Sequence, residues 1–295
     1  MGMSGTQPLR VAIDTLYAMK RDGRKIAMVT AYDYPSARAA EAAGVDVILV
    51  GDSLANTVLG LPDTLGVSMD AMVHHCKAAS RARRRAFLLA DMPFLSFQAS
   101  PEDAVRNAGR FLSEGGADAV KLEGAAHLEA VRRIVDAGIP AMGHIGYTPQ
   151  SLHQFGHRVV QGKTREQAEA LCRSARQLVE AGCFSIVLEK VPGRLAERVT
   201  QANPIVTIGI GSGPHCDGQV LVLADILGLE PDLHLRHAKR YADVGALSER
   251  AIRQYAEEVR SGAFPADAHT FPGDDDELPA AERVQALVTG TAKPS

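Results

Sequence analysis

Asp52, Asp91 and Glu123 each stand just past a short apolar run, V-D-V-I-L-V, F-L-L-A and A-V-K-L respectively. Glu189 follows S-I-V-L in the same way, Lys121 lies two residues before Glu123, and His144 sits in G-H-I-G. Carboxylates aimed from several strands toward one mouth repel one another unless a cation joins them. Oxygen donors with no cysteine pair nearby favour Mg²⁺, with Mn²⁺ as a substitute. Mg²⁺ leaves positions for substrate oxygens, and a small 2-oxo acid offers two, from its carboxylate and its ketone. A metal held there is a Lewis acid for an enolate.

Each residue also has an ordinary use. Any single strand-end acid can cap a helix or close a loop salt bridge. Lys121 and Glu123 point to the same side of their strand. There the lysine can neutralise a substrate carboxylate while the glutamate faces the metal, directly or through water; the alternative is a self-satisfied pair. A histidine such as His144 is more often a hydrogen-bonded core residue, but flanking Gly143 and Gly146 would leave room for a ligand. An apolar setting should raise the pKa of Glu189, as suits a general base. Its ordinary alternative is to cap the helix from Gly193. Further polar strand-end residues are Thr30, Tyr32 and Asp33 after the first run, Ser53 after the second and Ser212 after the seventh.

Eight apolar runs position these groups: 26–31, 45–50, 87–90, 119–122, 141–145, 185–188, 205–208 and 220–223. Short apolar runs bounded by Gly and Pro read as parallel strands buried on both faces. Helical patterns alternate with them at 36–43, 68–83, 100–114, 127–137, 164–181 and 193–201, several starting at Ser or Thr caps and ending in Ala-Gly. Eight alternations favour a (β/α)₈ TIM barrel, whose active site lies at the C-terminal strand ends. A doubly wound sheet would place a Gly-rich turn after the first strand, and none is there. The late I-G-I-G-S-G (208–213) serves equally as an anion-meeting turn or a plain tight loop. Residues 1–265 read as a single barrel domain with an N-terminal helix over 11–21 as a candidate cap for the barrel bottom. A last helix covers 248–260. Residues 266–295, with the acidic run Asp274–Glu277, read as a flexible C-terminal tail.

The chain has 295 residues, is 46% hydrophobic and carries a net charge of -3. That length suits one barrel. The balance of charge leaves no footprint for nucleic acid or membrane, and the basic stretch at Arg81, Arg83, Arg84 and Arg85 reads as a helix end. Cys76, Cys172, Cys183 and Cys216 form no C-x-x-C pair, disulfide framework or zinc spacing. With no signal peptide or membrane span in view, a cytoplasmic protein is expected.

At these residues the sequence resembles the ketopantoate hydroxymethyltransferase family. The matching stretches are T-A-Y-D-Y (30–34), V-G-D-S-L (50–54), L-L-A-D-M-P-F (88–94), V-K-L-E-G (120–124), G-H-I-G-Y-T-P-Q-S (143–151), V-Q-G-K-T (160–164), L-E-K-V-P (188–192), I-G-I-G-S-G (208–213) and D-G-Q-V-L-V (217–222). K-R-Y-A-D (239–243) also fits. The resemblance implies a barrel of the phosphoenolpyruvate/pyruvate superfamily type. It implies transfer of a one-carbon unit from 5,10-methylenetetrahydrofolate to 3-methyl-2-oxobutanoate, giving 2-dehydropantoate for pantothenate synthesis. Asp52, Asp91 and Glu123 then match the Mg²⁺ site. Ser53 and Lys121 match oxo-acid positions alongside Asp52 and Asp91, His144 an active-site neighbour, and Glu189 the proton acceptor. A homo-oligomer, often a decamer, is implied too.

The chain departs from the family pattern at Leu61, Pro62 and Gly66, at Lys190, and at Leu235 and His237. The 61–66 loop motivates two alternatives, a paralogue with another 2-oxo acid and a barrel that binds a ligand without turnover. A lyase-like relative would carry K-K-C-G-H, which this chain lacks.

Overall fold

The computed structural model describes residues 9–156, 160–273 and 278–291. The chain runs α1 (Ile13–Arg21), β1 (Ile26–Thr30), α2 (Tyr34–Ala42), β2 (Val47–Val50), α3 (Leu54–Thr57), α4 (Met69–Ala82), β3 (Phe87–Asp91), α5 (Pro101–Ser113), β4 (Ala119–Glu123) and α6 (Leu128–Asp136). It continues with β5 (Ala141–Gly146), a 3-10 turn at Pro149–Ser151, α7 (Leu152–Phe155), α8 (Arg165–Glu180), β6 (Ser185–Glu189), α9 (Gly193–Ala202), β7 (Val206–Ile210), β8 (Gly218–Leu221) and α10 (Leu223–Leu227). The eight strands close into a parallel barrel in sequence order, with β1 pairing β8.

Local chemistry starts the helices where the sequence indicates. Ser68, Ser100 and Thr164 each accept a hydrogen bond from the main-chain N–H three residues on, at Ala71, Asp103 and Gln167. Asp33 does the same for Ser36, so this strand-end acid serves α2 rather than the mouth.

Alternate strand residues point inward and build the barrel core. Met28, Val47, Leu49, Phe87, Leu89, Ala119, Met142, Val187, Val206 and Ile208 fill it, and Leu16 and Met19 of α1 belong to the same cluster. Tyr17 of α1 also donates to the carbonyl of Phe184 at 3.1 Å. The opposite strand face packs under the helices, where Ile48, Leu88, Leu122, Ile186 and Leu188 are buried.

Most strand bounds move by a residue or two from expectation, and the starts of β2 and β8 have a visible cause. β2 starts at Val47 because Val45 N–H still closes α2 on Ala40 O, and the Asp46 carboxylate accepts from Ala27 N–H. β8 starts at Gly218, since ladder pairing begins at Ile26–Gly218, and Leu223 opens α10 instead of ending the strand.

The chain divides into two compact units at Asp243/Val244. The second unit holds α11 (Val244–Ser261), a 3-10 turn at Asp267–His269 and α12 (Ala281–Val288). Phe264 links α11 to the segment after it, with ring centroids 5.6 Å from Tyr255 and 4.9 Å from His269. The run Asp274–Glu277 lies outside the described residues. No helix among the described residues is long and apolar enough to cross a membrane.

Candidate active site

Inward alternation ends in polar residues at the C-terminal mouth. Register sets their neighbours: Asp91 pairs laterally with Lys121, Glu123 with His144, and Gly146 with Glu189. Asp52 lies two residues past β2, and its main-chain N–H donates to Asp91 Oδ2 at 3.0 Å. Together they line a cavity of about 360 Å³, a volume suited to a small ligand.

Lys121 Nζ lies 2.9 Å from Asp91 Oδ1 and 3.3 Å from His144 Nδ1. His144 is buried between two acids, with Nδ1 3.4 Å from Glu123 Oε1 and Nε2 3.3 Å from Glu189 Oε2. Burial and the Lys121 charge oppose its protonation, but Glu123 and Glu189 prevail and raise its pKa to about 9. Burial also works against the Lys121 ammonium, yet Asp91, Glu123 and Asp52 hold its pKa above the usual lysine range. Burial, then Glu123 and Asp91, push Asp52 well above the usual carboxylate range. Asp91 is raised by burial despite Lys121. Glu123 is lowered: burial opposes this, but His144, Lys121 and the Gln150 N–H outweigh it.

Ser53 Oγ lies 2.8 Å from the Tyr32 hydroxyl, which also accepts from Thr30 Oγ1 at 2.8 Å. Burial raises the Tyr32 phenol, the ring being sealed in this chain of hydroxyls. Ser212 donates to Leu188 O at 2.7 Å and accepts from Val191 N–H at 3.0 Å. Its hydroxyl thus ties the loop after β7 to the end of β6.

Two local expectations are corrected. A Cβ on Gly143 would lie 2.7 Å from Leu178 Cδ1 of α8, and one on Gly146 would lie 2.2 Å from Glu189 O. These glycines admit a helix and a neighbouring strand, not a ligand. Glu189, expected in apolar surroundings, instead faces the His144 imidazole and opens onto the cavity.

The acidic corner offers only oxygen donors. Asp91 Oδ1 is buried with no hydrogen-bond partner beyond its ion pair with Lys121. Asp52 forms no ion pair among the described residues and lies against two other acids. Buried, oxygen-only and rich in negative charge, this corner fits a hard divalent cation. No three His, Cys, Asp or Glu side chains among the described residues are gathered tightly enough to hold an ion by themselves. Mg²⁺ is commonly held by only one or two carboxylates, so the fit stands on Asp52 and Asp91.

Residues missed in the sequence also line or support the cavity. Gln150 donates to Asp52 and through its main chain to Glu123. Lys190 Nζ lies 4.6 Å from the Tyr147 ring centroid, and with Leu235, His237 and Asp63 it lines the cavity. Of the departures from the family pattern, Lys190, Leu235 and His237 therefore lie at this mouth, whereas Leu61, Pro62 and Gly66 do not line it. Gln150 lay in plain view just after the fifth strand, but a search for charged groups passes over an amide.

The barrel resembles phosphonopyruvate hydrolase, solved in complex with oxalate and Mg²⁺, with a TM-score of 0.57, 13% identity and 95% of each chain covered. It also resembles 2,3-dimethylmalate lyase, a PEP mutase/isocitrate lyase superfamily member, with a TM-score of 0.54, 16% identity, and 96% of this chain and 100% of that one covered. At such identity the likeness is one of fold alone, and the fold is a closed eight-stranded parallel TIM barrel. The sequence is 54% identical to 3-methyl-2-oxobutanoate hydroxymethyltransferase of Carboxydothermus hydrogenoformans, covering 89% of this chain and 95% of the relative. It is 53% identical to the enzyme of that name from Moorella thermoacetica, covering 90% and 99%. Residues 10–267 match the family described as ketopantoate hydroxymethyltransferase, and the chain belongs to that family.

Proposed function

We propose that this chain transfers a hydroxymethyl group from 5,10-methylenetetrahydrofolate to 3-methyl-2-oxobutanoate, giving 2-dehydropantoate for pantothenate synthesis. The observation that carries the reading is the placement of Glu189 on the same cavity as the Asp91–Lys121 pair and Asp52, with His144 between the two ends.

Asp52 and Asp91 would hold a divalent cation, Mg²⁺ or Mn²⁺, with Glu123 beside them. When bound, it supplies a Lewis acid that stabilises negative charge developing on the keto oxygen. Glu123 already accepts from Gln150 N–H at 2.8 Å on one oxygen and faces His144 on the other, which favours an indirect role. Lys121 neutralises the oxo-acid carboxylate and Ser53 borders the same corner. Glu189 takes the proton from the branched carbon, and His144 holds its carboxylate in place. The resulting carbanion forms the new C–C bond to the one-carbon unit. One water is consumed to leave the hydroxyl, and tetrahydrofolate departs with the proton balance closed by Glu189. A cytoplasmic homo-oligomer, a decamer by family pattern, belongs to the same reading.

The test is exchange of the branched-carbon proton of 3-methyl-2-oxobutanoate in deuterated solvent with Mg²⁺, followed by NMR. Exchange is expected without folate and is abolished in Glu189→Gln. An absence of exchange, together with no product when folate is added, overturns the transferase reading and leaves a barrel that binds without turnover.

A further inference from the structure

We propose that Gln150 is a positioning residue that sets the orientation of the acidic corner; this rests on the cation reading above. The residue sits in the 3-10 turn after β5 and is 7% exposed. Its side-chain Nε2 donates to Asp52 Oδ2 at 2.9 Å and to Met92 O at 2.9 Å. Its Oε1 accepts from Gln98 Nε2 at 3.1 Å. Its main-chain N–H donates to Glu123 Oε2 at 2.8 Å.

The network fixes which way the amide points. A carboxylate and a carbonyl are both acceptors, so both neighbours of Nε2 require donors. Only the NH₂ end supplies two. Flipping the amide would set its oxygen against Asp52 and Met92 O together, with no proton between them. Gln98 completes the arrangement by donating to the other end. One uncharged residue therefore joins four places in the fold: the loop after β2, the start and the middle of the loop after β3, and the end of β4.

An amide suits this task better than a cation would. A lysine or arginine here would cancel the negative charge of Asp52 and compete with a metal ion for it. Gln150 instead engages one oxygen of Asp52 and one of Glu123 without removing their charge. The second oxygen of Asp52 has no partner among the described residues, and Asp52 lines the cavity beside Asp91. Fixing one oxygen of a two-oxygen group fixes the direction of the other. Residues in this outer position commonly change metal affinity by about 10–100-fold when removed.

The test is Mn²⁺ binding by electron paramagnetic resonance on the full chain, for wild type, Gln150→Ala and Gln98→Ala, beside the proton-exchange assay. Gln150→Ala is expected to weaken Mn²⁺ binding by at least about 10-fold in the folded fraction. Gln98→Ala releases only one end of the amide and is expected to weaken it about 3-fold, which keeps the proposal testable should Gln150→Ala fail to fold. A merely structural role would lower the active fraction and leave the Mn²⁺ Kd of the remaining protein unchanged. Unchanged Kd in either folded variant overturns the proposal. Mn²⁺ binding by wild type without proton exchange would overturn the transferase reading alone, and the variant Kd values would still decide the role of Gln150. No Mn²⁺ binding by wild type would overturn this proposal and the cation reading together.

Discussion

Replacing Lys121 by methionine isolates the charge at the centre of the mouth, because methionine keeps most of the apolar stem and removes the ammonium. Lys121 is buried with its Nζ 2.9 Å from Asp91 Oδ1, and it also lies in the field of Glu123 and Asp52. At an effective dielectric near 20, one charge pair at that distance amounts to ~6 kcal/mol. Desolvation of the ammonium offsets part of this, and removing one partner of a buried pair costs about 3–5 kcal/mol. The sign with pH follows from the carboxylates. Asp52 and Asp91 already have raised pKa values through burial, and Lys121 is a lowering influence on both. Without it they rise further above the unfolded value near 3.8. A carboxyl with a folded pKa above its unfolded one binds more protons when folded between the two values, so stability falls as pH rises through that window. Urea unfolding of wild type and Lys121→Met, at fixed protein concentration with a chelator present, is therefore expected to show a deficit of about 3–5 kcal/mol at pH 8 and a smaller one at pH 5. A deficit below about 1 kcal/mol that does not change with pH would refute the view that this lysine balances the buried acids.

Other expectations follow from single contacts. Gly146→Ala places a Cβ 2.2 Å from Glu189 O at a φ of +97°, so it should cost about 2–4 kcal/mol in urea unfolding and suppress proton exchange; an unchanged urea midpoint would contradict the close approach. His237 should titrate below 6.5 by NMR, because burial first and then Lys190 disfavour its charged form. Between its folded and unfolded pKa values the unfolded chain binds more protons, so the stability present above about pH 6.5 is lost as pH falls through that window, and His237→Phe should remove this slope. A His237 midpoint at or above 6.5 would count against the half-buried placement.

The barrel was legible because each strand carries its own local signal. A run such as V-I-L-V is apolar on both faces, which only a strand covered on both sides requires, and Ser68, Ser100 and Thr164 announce the helices with a hydrogen bond made within three residues. The acids were legible because a charge directly after such a run has to meet solvent, a ligand or a partner. What stayed hidden depends on distances that no local pattern encodes. Gly143 looks like room for a ligand until α8 is seen to bring Leu178 against it. Asp33 looks like a strand-end acid until Ser36 claims it. Ser212 looks like part of an anion-binding turn, yet two of its bonds reach back more than twenty residues, to Leu188 in β6 and to Val191 shortly after that strand. Gln150 acts on Asp52 across 98 positions of sequence.

The register of the barrel also gives the mouth a direction. Read around the strand ends, the groups alternate in sign: Asp91, Lys121, Glu123, His144 and Glu189, each within ion-pair distance of a neighbour of opposite charge. Lys121 stands near His144 as well, so the two cations share the middle of the row between acids on either side. Asp52 falls outside this alternation. Its partners are the amide of Gln150 and, through its own N–H, another acid, so negative charge is in excess on the β2–β3 side and balanced on the β5–β6 side. On the proposed reading this unevenness orients the substrate. The oxygen-bearing end of a 2-oxo acid would be drawn toward Asp52 and Asp91, which would hold the cation, and Lys121 would meet its carboxylate. The branched carbon is then left facing the far side, where Glu189 is held by His144 and no excess charge competes for the proton. A barrel with the same residues but β3 and β4 shifted by one position would turn Asp91 and Lys121 from the interior to the helix-covered face. The chemistry therefore depends on strand register as much as on the identity of the acids.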